Sequence, residues 1–486
     1  MTRISLQNAT VAVIGDLMLD RYVTGDAARL SPEAPVPVLS NTTTRAVLGG
    51  AGNVLANLRG LGVRVHLAGV VGDDADAAAL RAMMADIGAD DTGLLVATDR
   101  PTIVKTRFMA GNHHLLRLDA EEARPVGDDV AARLIAQVEK ALNDGARALI
   151  LSDYGKGTLT PAVIAGVIDA AQARNVPVLV DPKGRDYSIY RGASIVTPNR
   201  KELAEATNNL PNATDGDIVV AARHLIQTSG IDCVIATRSQ DGMSVVRADG
   251  TPMHLRAQAR AVFDVSGAGD TVIATIAAGL AAGLNLDDAA HLANRAAGIV
   301  VGKVGTAPIL IEELDADDAI GDMIAPVCDD WDAAANIVEG WRAQGLKIGF
   351  TNGAFDILHP GHVTYLAQAR SRCDRLVVAL NCDESIRRYK SKDRPINDEQ
   401  SRAQVLAALG AVDLVVIFGR TAEEDDKAEL IIRRINPDVL VKGADYEGKH
   451  VDGADYVQSR GGVVWLAPVV AGKSTTAIVK KLQGQG

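Results

Sequence analysis

Two short stretches of this chain carry residue types that could do chemistry, and they lie far apart. The first is Asp264-Val265-Ser266-Gly267-Ala268-Gly269-Asp270-Thr271. Small residues let a backbone approach an anion closely. Residues 272–284 are apolar and rich in Ala and Gly, so they read as a buried helix. Gly267, Ala268 and Gly269 therefore fall where a loop becomes a helix. The first amides of a helix have no partner inside it, and its dipole favours negative charge there. Asp270 does not suit a plain anion site, because a carboxylate repels a phosphate. It does suit a base that takes a proton from an attacking hydroxyl while the amides hold the transferred phosphoryl group. The plainer alternative is a glycine-bearing helix start capped by an Asp.

The second stretch is Gly353-Ala354-Phe355-Asp356-Ile357-Leu358-His359-Pro360-Gly361-His362. A strand-like run, 346–351, precedes it, and a helical pattern, 363–370, follows. His359 and His362 are three apart at a helix start and can point at one anion. Such imidazoles, protonated or donating hydrogen bonds, would stabilise charge on an α-phosphate as pyrophosphate leaves. Zinc is the rival reading. It needs further ligands, and no third nearby His or suitable Cys accompanies the pair.

Elements that could position these residues are legible on both sides. Residues 11–14, 148–151, 177–180, 195–196 and 233–236 are short apolar runs, each ending in polar residues. That is the mark of buried parallel strands with a site along one sheet edge. The first run ends at Asp16 and Asp20, two acids able to bond sugar hydroxyls. Gly49, Gly50 and Asn53 form a second such word: the glycines admit a ligand and Asn53 both donates and accepts. Residues 36–45 and 101–117 alternate apolar and polar, as strands of a small β lid would. Lys105, Arg107 and Arg117 on it could meet a second phosphate carried by the substrate.

Composition bounds the partners. At 486 residues two or three domains are expected. A net charge of −11 argues against a general nucleic-acid binder. The four cysteines have no CxxC spacing, no signal-like core opens the chain, and no run reaches membrane-spanning length. A cytoplasmic protein with reduced thiols, binding neither nucleic acid nor membrane, is the expectation.

The word Asp-x-x-Gly-Ala-Gly-Asp-Thr at 264–271 resembles the signature of the ribokinase-like sugar kinases. Residues 49–53 resemble that family's Gly-Gly-x-x-Asn word, which holds the sugar. The likeness covers roughly residues 10–315. It implies that Asn199 and Glu202, an Asn-x-x-Glu pair, order magnesium through water near ATP. It also implies a nucleotide loop at Thr237 to Gly242 and an adenine site by Asn294. Ser239 stands in that loop where a glycine is usual. The 353–362 word closely resembles the cytidylyltransferase-type nucleotidyltransferases. Lys442 and Asp445 match that family's Lys-Gly-x-Asp word beside the nucleotide, with Gly353, Phe355 and Asp356. Ser474, Thr475 and Thr476 resemble its motif for the outgoing phosphates, with Lys480 and Lys481 where an Arg is common. The overlapping run 467–474 mimics a P-loop but lacks its first glycine, so the Ser-Thr-Thr reading is the better one. Arg387, Arg388, Lys390, Lys392 and Arg394 form a basic cluster suited to a phosphorylated substrate.

Together the two halves resemble the bifunctional kinase–adenylyltransferases of ADP-heptose synthesis. The resemblance implies an α/β chain of two domains. These are a ribokinase-like doubly wound sheet with a β lid at 1–318 and a Rossmann-like nucleotidyltransferase domain at 344–486. A linker and leading helix, 319–343, would join them; residues 312–332 are acidic, with little apolar periodicity. It further implies Mg²⁺, ATP as substrate of both domains, phosphorylated heptoses, a homodimer and a separate bisphosphate phosphatase. A different NDP-sugar or NDP-alcohol, or a nucleotide-sensing regulator on the same folds, stays open.

Overall fold

The computed structural model describes residues 6–111, 113–257, 264–303, 305–390, 394–421 and 428–468, with backbone alone at 318–323 and 445. The chain divides into two units, Met1–Asp315 and Ala316–Gly486.

In the first unit the apolar runs become a nine-stranded sheet. From one edge its strands are Met253–Leu255, Met243–Arg247, Cys233–Thr237, Ile195–Val196, Val178–Asp181, Ala148–Ser152, Thr10–Gly15, Arg64–Val71 and Leu94–Val96. All pairings are parallel except the two that attach Met243–Arg247 and Met253–Leu255. Alternation of side chains across each strand feeds two cores. Val11, Val13, Ile150 and Leu179 pack beneath the helices Ala51–Gly60, Ala268–Ala281 and Leu286–Val300. Ala12, Ile14, Leu149 and Leu151 meet the helices Asp128–Asn143, Pro161–Gln172 and Asp215–Ser229 on the opposite face. The helix Ala268–Ala281 is buried almost all round, as its uniform small and apolar composition requires.

A separate four-stranded sheet forms the lid, in the order Pro37–Gly50, Leu17–Leu30, Ile103–Ala110, His113–Ala120. Its second strand exceeds what the sequence suggests. From Arg21 onward Leu17–Leu30 is polar and partly exposed, so no apolar run marks it. Pairing on both sides, with Pro37–Gly50 and with Ile103–Ala110, makes it a strand.

Where composition suggests an irregular linker, the chain instead forms the helix Ile311–Met323 and the short strand Val327–Cys328. Glu312 and Glu313 occupy the first helical turn, where carboxylates suit the dipole, and Leu314 is buried. Val327–Cys328 is the edge strand of the second sheet. That sheet runs Val327–Cys328, Leu414–Phe418, Arg375–Asn381, Ile348–Gly353, Val439–Gly443, Val463–Ala467, all parallel. Leu376, Val378 and Val415 serve one core, and Ile348, Phe350 and Val377 the other. The helix Trp331–Ala343 packs on the second of these, with Trp331 donating to the carbonyl of Ile417 at 3.0 Å.

Candidate active sites

In the first unit, seven parallel strands end at one edge of the sheet, and the site is built there. The helix Ala268–Ala281 starts at that edge, with Gly267 as its N-cap at φ 79°. A side chain at Gly267 would be strained, and its Cβ would lie 2.8 Å from Asn53 Nδ2. Asp270 stands in the first turn and is 6 % exposed. Both of its oxygens are held: Asn53 Nδ2 donates to Oδ2 at 2.7 Å, and the Tyr154 hydroxyl donates to Oδ1 at 2.8 Å. Burial pushes the carboxyl up to about 6, while these two hydrogen bonds oppose the rise.

Asn53 thus lies against Asp270 itself. Behind it, Asn57 donates to the carbonyl of Asn53 at 2.8 Å and accepts from Thr271 Oγ1 at 2.9 Å and from the amide of Ile309 at 3.0 Å. The sequence reading missed Asn57. It sits one helical turn after Asn53, and that spacing was the available signal.

A cavity of about 590 Å³ opens in front of Asp270. Thr197, Asn199, Glu202, Thr237, Gly242, Asn294 and residues 267–270 line it, so the expected nucleotide residues share one space. Asn199 and Glu202 form a reciprocal capping box, with bonds of 3.0 and 3.1 Å, at the start of the helix Arg200–Ala206. The pair thus caps a helix while both of its residues line the cavity. Lys183 Nζ lies 3.3 Å from Glu202 Oε1. Asp181 lines the same cavity, its carboxyl pushed well up by burial and then by the charges of Asp270 and Glu202. Ser239, at the place of the usual glycine, adopts φ 55°. Asn294 donates to the carbonyl of Arg256 at 2.7 Å.

The sugar side needs one correction. Asp16 is fully buried and faces no open space. Its Oδ2 accepts the amides of Tyr154 and Lys156 at 3.1 and 2.8 Å, and its Oδ1 that of Thr158 at 3.1 Å. It fastens the 154–158 loop and does not present a carboxylate to a sugar. The strand ends of Thr10–Gly15 and Ala148–Ser152 lie in register, which brings that loop over it. Asp20, in contrast, lies in the lid and accepts from Arg107 Nη1 at 2.5 Å. Gly49 faces it so closely that a Cβ there would sit 2.6 Å from Asp20 Oδ2. Gly50 is the N-cap of the helix that carries Asn53. Lys105 is partly buried, and that burial pulls its ammonium down from its ordinary value. Its Nζ lies 5.6 Å from the centre of the Tyr154 ring. Arg117 is exposed and pairs with Asp119 at 2.9 Å.

The second unit repeats the logic at the end of Ile348–Gly353. His359 is the N-cap of the helix Pro360–Arg370, so His362 falls in its first turn. Their rings stack with centroids 3.8 Å apart. Burial, then the neighbouring charges of His359 and Lys390, pull His362 down to about 4. At neutral pH it is therefore an uncharged hydrogen-bond donor, and its Nδ1 is shut from solvent with no hydrogen-bond partner among the described residues. Phe355 adopts φ 43° and sets its ring edge-on to His362, centroids 5.3 Å apart. Gly353 lies against that ring.

Asp356 points inward instead of toward a nucleotide. It is 3 % exposed, accepts the amide of Ile396 at 2.7 Å, and pairs with Arg394 at 2.9 Å. Lys442 Nζ donates to Asn352 Oδ1 at 2.5 Å, across the pairing of Val439–Gly443 with Ile348–Gly353. In the basic cluster Arg394 belongs to Asp356 and Arg388 donates to the carbonyl of Gly419. Lys390 is the member that acts on His362. Arg402 is the residue that sequence reasoning missed outright. Buried at 2 % exposure, it donates to the carbonyls of Ala354 and Asn381 at 2.6 and 2.9 Å and to Asp383 at 2.6 Å. Nothing in its local sequence announces that role. Lys392, Ser474, Thr475, Thr476, Lys480 and Lys481 lie outside the described residues, and Asp445 is described by its backbone alone.

The fold and the two sites define a class: a carbohydrate-kinase unit and a nucleotidyltransferase unit in one chain. Residues 8–313 match the model of the pfkB family carbohydrate kinases, and residues 350–463 match the cytidylyltransferase-like model. The first unit resembles ribokinase of Arabidopsis thaliana, solved with ribose and ATP, at TM-score 0.52 and 21% identity, over 63% of this chain and 98% of that one. It resembles phosphofructokinase-2 of Escherichia coli at TM-score 0.53 and 17% identity, over 64% of this chain and 98% of that one. At those identities the likeness speaks for the fold. Over the full length, the chain is 51% identical to the bifunctional protein HldE of Paramagnetospirillum magneticum, covering 99% of this chain and 97% of that one. It is 50% identical to the HldE of Rhodospirillum rubrum, covering 99% and 96%. The chain belongs to the family of bifunctional HldE proteins.

Proposed function

We propose that the chain makes ADP-heptose in two steps. The first unit phosphorylates D-glycero-β-D-manno-heptose 7-phosphate at C1 with ATP. The second transfers AMP from ATP to heptose 1-phosphate and releases pyrophosphate. The product would feed lipopolysaccharide core synthesis in the cytoplasm.

One observation carries the kinase reading. A buried carboxylate, Asp270, sits in the first turn of a helix whose opening amides, 267–269, face the same cavity. Asp270 takes the proton from the sugar hydroxyl, and the amides stabilise the phosphoryl charge. Asp20, Gly49, Gly50 and Asn53 hold the sugar, and Lys105 and Arg107 meet its second phosphate. Glu202, with Asp181 beside it, offers carboxylates to a magnesium ion and its waters, and hard oxygen ligands suit that ion. Magnesium would screen the ATP phosphates. Thr237, Gly242 and Asn294 bound the nucleotide. In the second unit His359 and His362 stabilise the α-phosphate as pyrophosphate departs, with Lys390 and Lys442 adding charge.

The kinase leaves phosphates at both C1 and C7, whereas the transferase needs only the one at C1. We infer a separate phosphatase that trims C7, and a homodimer paired through lid strands. A panel of phosphosugars with ATP, scored separately for ADP and for pyrophosphate, tests the reading. ADP release with heptose 7-phosphate and pyrophosphate release with heptose 1-phosphate are expected. Preference for another sugar or for an alcohol phosphate would refute the heptose assignment.

A further inference from the structure

Tyr154 stands just past the end of Ala148–Ser152, beside the base. Its hydroxyl donates to Asp270 Oδ1 at 2.8 Å, opposite the Asn53 bond to Oδ2. Neither donor is loose. The 154–158 loop is anchored by the three amide bonds to buried Asp16. Asp153 adds two more constraints, accepting the amide of Gly155 at 2.8 Å and the Tyr190 hydroxyl at 2.6 Å. Asn53 is backed by Asn57, which the Thr271 hydroxyl and the Ile309 amide hold in turn. A carboxylate gripped on both oxygens by rigid donors cannot swing, so the lone pairs left over keep one direction.

We propose that Tyr154 is a positioning residue of the kinase reaction: its hydroxyl fixes the Asp270 carboxylate so that one free lone pair meets the sugar hydroxyl. This rests on the kinase reading. The arrangement also explains why Asp16 is buried, since the acid holds the loop that aims Tyr154. The charged groups acting on Asp270 are Asp20 and Lys105 of the lid and Asp181 at a neighbouring strand end. None of them changes when Tyr154 loses its hydroxyl.

The test is Tyr154→Phe in the full chain, which keeps the ring and removes the donor. Loss of one hydrogen bond to a charged group should lower kcat for ADP release roughly 10- to 100-fold. The KM for ATP should stay unchanged. Tyr154 donates to the ionised carboxylate, so its removal disfavours that form. The acid limb of kcat/KM should then move to higher pH by on the order of one unit. A merely structural role would lower activity without moving that limb. Pyrophosphate release by the same chain reports on folding of the second unit. If the Phe chain does not fold, Tyr154→Gln against Tyr154→Leu gives the same contrast of donor with none. A rate and limb equal to wild type, or a slower rate with the limb unmoved, overturns the proposal alone. A wild-type chain that releases no ADP with any phosphosugar overturns the kinase reading and the proposal with it.

Discussion

Asp270→Asn should sharply slow the kinase and at the same time stabilise the first unit. The carboxyl rises from its ordinary 3.8 to about 6 because burial opposes its charge. At about 1.4 kcal/mol per pH unit, holding it ionised in the folded state costs about 3 kcal/mol. The sign follows from the direction of the shift. For an acid whose folded pKa is raised, the penalty is absent below the unfolded value, grows between 3.8 and about 6, and is constant above. Asn removes the charge and keeps the shape. Its oxygen can still accept from Tyr154, but its amide then meets the Asn53 amide. Asn53 can turn its own oxygen toward it, because the 2.8 Å bond from Asn57 goes to the Asn53 backbone carbonyl. Its 3.4 Å contact with Asn53 Oδ1 is the part given up. The net gain should therefore be about 2 kcal/mol at pH 8 and near zero at pH 4. Chemical unfolding of the first unit, followed at both pH values, measures it. ADP release should fall by on the order of 10²–10⁴. A destabilised Asn chain, or a gain of equal size at both pH values, would show that the carboxylate is not held ionised against burial. ADP release near the wild-type rate would remove Asp270 as the base.

Other substitutions separate the two units. Gly49→Ala places a Cβ 2.6 Å from Asp20 Oδ2 and 2.9 Å from Met18 Cγ. Overpacking of that kind costs about 1–3 kcal/mol; kinase kcat/KM for the sugar phosphate should fall while pyrophosphate release is unchanged, and an unaltered sugar KM would count against Asp20 as a sugar contact. Arg402→Ala strands the carbonyls of Ala354, Asn381 and Asn397 and the Asp383 carboxylate, at a cost of about 3–5 kcal/mol. Pyrophosphate release should vanish and ADP release survive; retention of both would mean the Arg402 clamp is dispensable. An Asp270→Asn chain mixed with a His359→Ala chain should make ADP-heptose from heptose 7-phosphate, ATP and a bisphosphate phosphatase, at the wild-type rate for matched sites. Product without any phosphatase, or a far slower mixture, would argue against two independent sites.

The sequence by itself marked two candidate centres and determined the sheets behind them. Asp270 with 267–269, and His359 with His362, were visible because a glycine-bearing turn before a helix is a local event, set by residues adjacent in the chain. The parallel strands were visible because burial on both faces leaves a continuous apolar run, as at 148–151 and 177–180. Tertiary structure decided what each polar residue faces. Asp16 and Asp20 look alike in sequence, four apart after one strand. Pairing of Thr10–Gly15 with Ala148–Ser152 buries the first beneath a loop, while Leu17–Leu30 carries the second into the lid. Asp356 became a loop anchor because Arg394 and the amide of Ile396 reach it from about 40 residues away. Tyr154, Asn57 and Arg402 bond to partners 116, 214 and 48 residues distant. No periodicity records such pairings, because hydrogen-bond partners across a sheet edge are chosen by strand order, and strand order is a property of the packed chain.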